Sequence, residues 1–188
     1  MSLLDKYISP LNQVSLSKGD SMEKAEKYAQ IALEMGAKDS KVISVKDLVF
    51  DPRTLLKCMY GCEEWGKSWT CPSAPKALMP WEAEKILKKY NWGILIRTQD
   101  PKLAQEISFQ VEMKAFFDGY PLAFSMFDCY LCETCVFPDP CRFPEKARPS
   151  MQALGIDVYA TVKKLGLPIE PLKTKGEKPN YYALVLIE

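Results

Sequence analysis

Histidine is absent from all 188 residues. That removes the imidazole general base, any His-based nucleophilic triad and any His ligand for zinc, copper or haem. There is no excess of charge of either sign: 25 Lys and Arg stand against 24 Asp and Glu, a net charge of +1. A basic footprint for nucleic acid is therefore missing, and no nucleic-acid partner is expected. Long apolar runs are missing too, so no segment reads as inserted in a membrane. Neither G-x-G-x-x-G nor a Walker A loop is present. The stretch from Met1 to Lys6 lacks the apolar core of a signal peptide, and the expected location is the cytoplasm.

What remains is ordinary in bulk and unusual in one respect. Hydrophobic residues make up 47% and charged residues 26%, as in a soluble globular protein. The length predicts a single domain spanning 1–188 with a normal core. The unusual feature is seven cysteines confined to two short windows. In a reducing compartment an odd, clustered set reads as metal-binding or catalytic, not as a disulfide framework.

The hydrophobic pattern predicts alternating elements. A helix is expected over Met22–Met35, capped by Asp20 with Glu23 three residues on, its apolar stripe being Ala25, Tyr28, Ala29 and Ala32. Gly36 ends it. Lys41–Phe50 reads as a strand, followed by a cysteine loop over 58–75. Trp81–Tyr90 reads as helix behind Pro80, and Trp92–Arg97 as a strand buried on both faces. Asp100-Pro101 opens a helix running through Leu103, Ile107 and Val111 to Phe117, stopped at Asp118-Gly119. Leu122–Phe127 is a further strand leading into the second cysteine loop, 129–149. Ser150 and Asp157 are expected caps for helical turns ending at Leu165-Gly166, and Tyr181–Ile187 is the last strand.

Such alternation predicts an α/β fold: a mainly parallel or mixed sheet of about four strands with covering helices, the alternative being α+β. With parallel strands both cysteine loops would leave from carboxyl ends on one side of the sheet and face each other.

The second loop carries Cys129, Cys132, Cys135 and, six positions later, Cys141. Three thiolates at i, i+3 and i+6 can turn inward on one compact centre. The C-x2-C-x2-C run resembles the loop of bacterial ferredoxins that binds a [4Fe–4S] cluster. It departs from it in placing five residues, not three, before the last cysteine, and Cys141 follows Pro140. Whether Cys141 closes this cluster or serves another stays open. The first loop carries Cys58, Cys62 and Cys71, a C-x3-C-x8-C spacing that no common zinc ribbon has. Zinc is the rival cofactor. Without histidine it needs four cysteines, or three with a carboxylate such as Asp139 or Glu63.

The expected ligands are thus Cys58, Cys62, Cys71, Cys129, Cys132, Cys135 and Cys141, holding one or two [4Fe–4S] clusters or, alternatively, zinc. Two four-cysteine clusters need eight thiolates and the chain has seven. Either another ligand completes one cluster or one iron is open; Cys58, Cys62 and Cys71 form the expected three-thiolate site. Trp65, Trp69, Tyr60 and Phe143 are placed to shield a centre from water. Lys57, Lys67 and Arg142 are placed to offset thiolate charge, with Lys67, Trp69 and Arg142 the expected supporting residues. Seven of the 14 prolines, Pro72, Pro75, Pro80, Pro138, Pro140, Pro144 and Pro149, lie in or just beside the two loops and are expected to stiffen them.

Three ordered motifs carry a family resemblance. They are Cys58-x3-Cys62-x3-Gly66-Lys67-Ser68-Trp69-Thr70-Cys71-Pro72, then Cys129-x2-Cys132-x2-Cys135-x4-Pro140-Cys141-Arg142-x-Pro144, then Arg148 to Val158. With these the chain resembles archaeal and bacterial predicted metal-binding proteins, domain of unknown function 2284. Ser73 stands where that family commonly has a second proline, and Gln152 where it commonly has an acid. The resemblance implies metal binding at the seven cysteines and no particular reaction.

The leading expectation is electron transfer, as an accessory to a larger oxidoreductase or other redox partner. The second is an enzyme whose three-cysteine cluster binds substrate at an open iron. The third is a structural zinc module for protein interaction. Oligomeric state is not legible.

Overall fold

The structure, a computed structural model, describes residues 18–75, 77–174 and 176–188, with side chains from Lys24 onward. The first helix begins before the expected Met22, so Asp20 falls within it and not at its cap; the Asp20 and Glu23 side chains lie outside those described. The elements run α1 (Lys18–Glu34), β1 (Asp39–Ser44), a 3-10 turn (Val45–Asp47), α2 (Thr54–Gly61), α3 (Pro80–Leu87) and β2 (Trp92–Thr98). Then come α4 (Pro101–Phe117), β3 (Phe124–Met126), a second 3-10 turn (Gln152–Leu154), α5 (Val158–Lys164) and β4 (Tyr181–Leu186).

The four strands form one sheet in the order β1-β2-β4-β3, and every neighbouring pair is antiparallel. This corrects the expected parallel or mixed sheet. The helix–strand alternation is real, but it reports covering layers and not strand direction. A continuous apolar run marks a strand buried on both faces, whichever way its neighbours run. In β4, Tyr182, Leu184 and Leu186 join Leu95, Ile43 and Met126 on one face. Ala183 and Val185 point the other way, with Ile94 and Ile96. The first face is covered by α3, α5 and the second 3-10 turn through Ala83, Leu87, Leu154, Val158 and Val162. The second is covered by α1 and α4 through Tyr28, Ala29, Ala32, Ala104, Ile107, Val111 and Ala115. These helical positions recur at the spacing of an amphipathic stripe.

Local chemistry sets the element ends. The Asp100 carboxylate accepts from the Lys102 and Leu103 backbone N–H groups at 2.9 and 3.2 Å, and Pro101 opens α4. Asp157 caps α5 by accepting from Ala160 N–H at 2.9 Å. Ser150 Oγ accepts from Ala153 N–H at 3.3 Å and holds the second 3-10 turn. The strand expected over Lys41–Phe50 ends at Ser44, whose hydroxyl accepts from Lys46 N–H while Asp47 accepts from Ser44 N–H.

Antiparallel pairing sends the two cysteine segments out from opposite ends of the sheet. The chain leaves β1 at the end where β4 also finishes, and leaves β3 at the other. They meet because residues 49–51 turn back across the sheet and pair with 155–157. Asp51 N–H donates to the Gly155 carbonyl, and Asp157 N–H to the Val49 carbonyl, both at 2.8 Å. α2 is thereby packed against the second 3-10 turn, near the exit of β3.

Candidate metal centre

Cys58 does not lie in a loop, as expected, but in α2, with Cys62 as the residue that caps its end. Helical spacing puts positions 58 and 62 on one face. Cys71 follows in a tight turn closed by its N–H donating to the Ser68 carbonyl at 3.2 Å. Ser73 Oγ donates to Cys71 Sγ at 2.9 Å. The serine that replaces a proline of the family pattern thus supplies a donor to one of the thiols.

All seven cysteines are free thiols; Cys62 is exposed and the other six are half-buried. Electrostatic proximity relates six of them in two sets, Cys58 with Cys62 and Cys71, and Cys129 with Cys132 and Cys141. Burial pushes the Cys58 thiol up to about 11, and the nearby Cys62, Cys71 and Asp128 push in the same direction. Burial also raises Cys129, helped by Cys141 and Cys132 and opposed by the Leu131 N–H and the Gln105 amide. Cys141 is therefore within electrostatic reach of the group led by Cys129. Crowded thiols resist ionising together, so a cation that binds them must displace protons. Among the described residues no three Cys, Asp or Glu side chains converge on one point where a single metal ion would sit.

Asp128 was missed by sequence reasoning, which looked to Asp139 and Glu63. It ends the β3 exit and neighbours Cys58. Asp128 as a whole is exposed, yet it lines a recess whose walls desolvate the carboxyl group and raise its pKa. The nearby Ser150 hydroxyl opposes that rise. Asp139 and Glu63 are exposed.

Gln105 was also missed. It is 9% exposed on α4, and its Oε1 accepts from Tyr130 N–H at 2.8 Å. Its Nε2 is buried and, among the described residues, has no partner at hydrogen-bond distance. The amide lies close enough to Cys129 to lower its pKa, short of a formed hydrogen bond. A buried donor left open beside a soft thiol donor set fits a thiolate-bound metal group, whose sulfurs accept such bonds. No motif could have flagged a glutamine sited 24 residues before the cysteine it serves.

A third unforeseen feature ties the loops to the sheet. Glu112 on α4 is 6% exposed. It accepts from Ser125 N–H at 2.7 Å, from Ser125 Oγ at 2.6 Å and from Arg148 Nε and Nη2 at 3.0 and 2.5 Å. Arg148 also donates to the carbonyls of Glu145 and Ala147. The end of the second loop is thus pinned to β3.

The two loops do face each other. Trp69 Nε1 donates to the Asp139 carbonyl at 2.8 Å, and its ring meets Phe137 edge-on at 5.0 Å. Of the expected supporting residues, Trp69 is therefore engaged between the loops, while Lys67 and Arg142 are exposed. Tyr60 and Phe143, expected as shields, are 82% and 38% exposed.

With this geometry in hand, comparison gives one match. The family model for predicted metal-binding protein, DUF2284, covers residues 41–187. The chain belongs to this family. The matched stretch takes in all seven cysteines, Gln105, Glu112, Asp128 and Arg148. The curated proteins and the solved structures gave no match. Among the described residues no helix is long and apolar enough to cross a membrane.

Proposed function

We propose that this member of the DUF2284 family is an iron–sulfur protein that transfers electrons, its seven cysteines holding two [4Fe–4S] clusters. The carrying observation is the division of the thiols. Cys58, Cys62 and Cys71 gather beside Asp128, while Cys141 lies with Cys129 and Cys132, on a loop that also carries Cys135. That supports three thiolates in one centre and four in the other. Bound clusters supply one-electron chemistry and prefer soft thiolate ligands. Gln105 is placed to donate toward Cys129, and Ser73 donates to Cys71. Both donors would stabilise added negative charge on the sulfurs. Trp69 ties the two loops together through its bond to the Asp139 carbonyl, which would help to hold both sets of thiolates in place.

A second reading is favoured by the cavity bounded by Cys71 and Cys141. In it the three-thiolate centre keeps one open position and binds substrate. Asp128 separates the two readings. As a fourth ligand it closes the centre and favours a carrier; free of the metal, it leaves the centre open.

The test is single replacement by serine, read by electron paramagnetic resonance of reduced, anaerobically purified protein. Cys58→Ser, Cys62→Ser or Cys71→Ser should alter one signal and spare the other. Cys129→Ser, Cys132→Ser or Cys141→Ser should do the reverse. Loss of both signals in any one variant overturns the division.

A further inference from the structure

A cavity of about 510 Å³ lies where the two cysteine loops meet the sheet and α3. That volume is within the range of about 300–1,000 Å³ typical of small-molecule sites. Trp69 and Cys71 from the first cysteine segment, Cys141 from the second, Ile86 from α3 and Phe124 from β3 all line it. No charged side chain lines it among the described residues. Its hydroxyls are already near other groups. Tyr90 donates to the Leu122 carbonyl at 2.5 Å, and Thr70 Oγ1 stands 3.5 Å from Ser68 Oγ. A ligand carrying phosphate, carboxylate or sulfonate would bury its charge there with no cation among the described residues to meet it, which is costly. Aromatic and aliphatic walls instead favour a flat, uncharged ring system.

We propose that this cavity binds a neutral, largely apolar ring compound, placing it against cysteine side chains of both loops at once. Binding itself depends only on the walls; contact with a metal edge rests on the reading of Cys71 and Cys141 as ligands given above.

The experiment uses a matched pair of fluorescent probes on the anaerobically purified full chain. N-phenyl-1-naphthylamine is neutral, and 8-anilinonaphthalene-1-sulfonate carries the same rings with one added charge. The neutral probe should bind saturably at one site per chain, and the sulfonate at least about ten-fold more weakly. Leu78, 42% exposed at the rim, and Ile86, 50% exposed on α3, can be changed without emptying the core. Leu78→Asp and Ile86→Asp should each weaken the neutral probe by about ten-fold or more. Phe117→Asp, at a 76% exposed site on α4 away from the cavity, should leave it unchanged. Absence of saturable binding, equal affinity for the two probes, or indifference to both rim variants overturns the proposal. So does a concentration-dependent dimer abolished by Leu78→Asp without probe binding, which assigns the cavity to a second copy. Metal content is measured on the same samples. Probe binding by metal-free chains sinks the metal reading alone, and metal-loaded chains that ignore the probe sink the cavity reading alone.

Discussion

Replacing Glu112 by alanine removes the acceptor on which three donor groups converge. The carboxylate side chain is 8% exposed and its Arg148 partner 18%. Breaking a buried ion pair from one side costs about 3–5 kcal/mol, because the remaining charge keeps its burial and loses its partner. Arg148 retains the Glu145 and Ala147 carbonyls, which places the expected loss near the lower end, about 3 kcal/mol. Ser125 N–H and Oγ are orphaned in the same step, in a residue only 1% exposed, and this prevents a smaller value. For a chain of this length about 3 kcal/mol corresponds to a fall in Tm of about 6–12 °C. Urea unfolding followed by circular dichroism, on samples matched for metal content, reads the change as a shifted midpoint at unchanged slope. The double variant Glu112→Ala with Arg148→Met should lose less than the two single losses together, by at least about 1 kcal/mol. A Glu112→Ala cost below about 1 kcal/mol, or strict additivity, would refute the claim that this pair anchors the second cysteine loop.

Three other outcomes are expected. Gln105→Leu should keep full metal content but lower the midpoint potential of one centre, since the amide favours the reduced, more negative state; an unchanged potential in redox titration removes Gln105 from the site. Gly155 has φ +85° and a Cβ there would stand 2.8 Å from Pro80 Cβ and 3.2 Å from Pro80 Cα. Gly155→Ala should therefore destabilise the fold by at least about 1 kcal/mol, seen as a lower urea midpoint. Asp118 accepts from Tyr28 Oη and pairs with Lys114 and Lys27, and the two lysines hold its pKa down at about 2. Its contribution is present above the unfolded value near 4 and disappears as pH falls from about 4 through about 2. The Tm gap between wild type and Asp118→Asn should close over that interval, and a gap constant between pH 6 and pH 2.5 contradicts it.

Much of the local structure was legible. Asp100-Pro101 located the start of α4, and the uninterrupted run at Trp92 located β2, because capping and burial act over a few residues. Strand direction was not, because both faces of the sheet are covered by helices and an apolar run looks alike in either sense. The meeting of the cysteine loops was foreseen on the wrong ground. It comes from the pairing of 49–51 with 155–157, a contact across more than a hundred residues that no window could hold. The cysteine ligands announced themselves by clustering. Gln105, Glu112 and Asp128 did not, since each acts through a neighbour brought in by α4 or β3.

The central claim is that these thiols hold iron and sulfide. Metal and acid-labile sulfide content of anaerobically purified protein tests it most directly. The account predicts a brown protein with about eight iron and eight sulfide per chain, two cubanes. A colourless protein carrying zinc and no sulfide would contradict it.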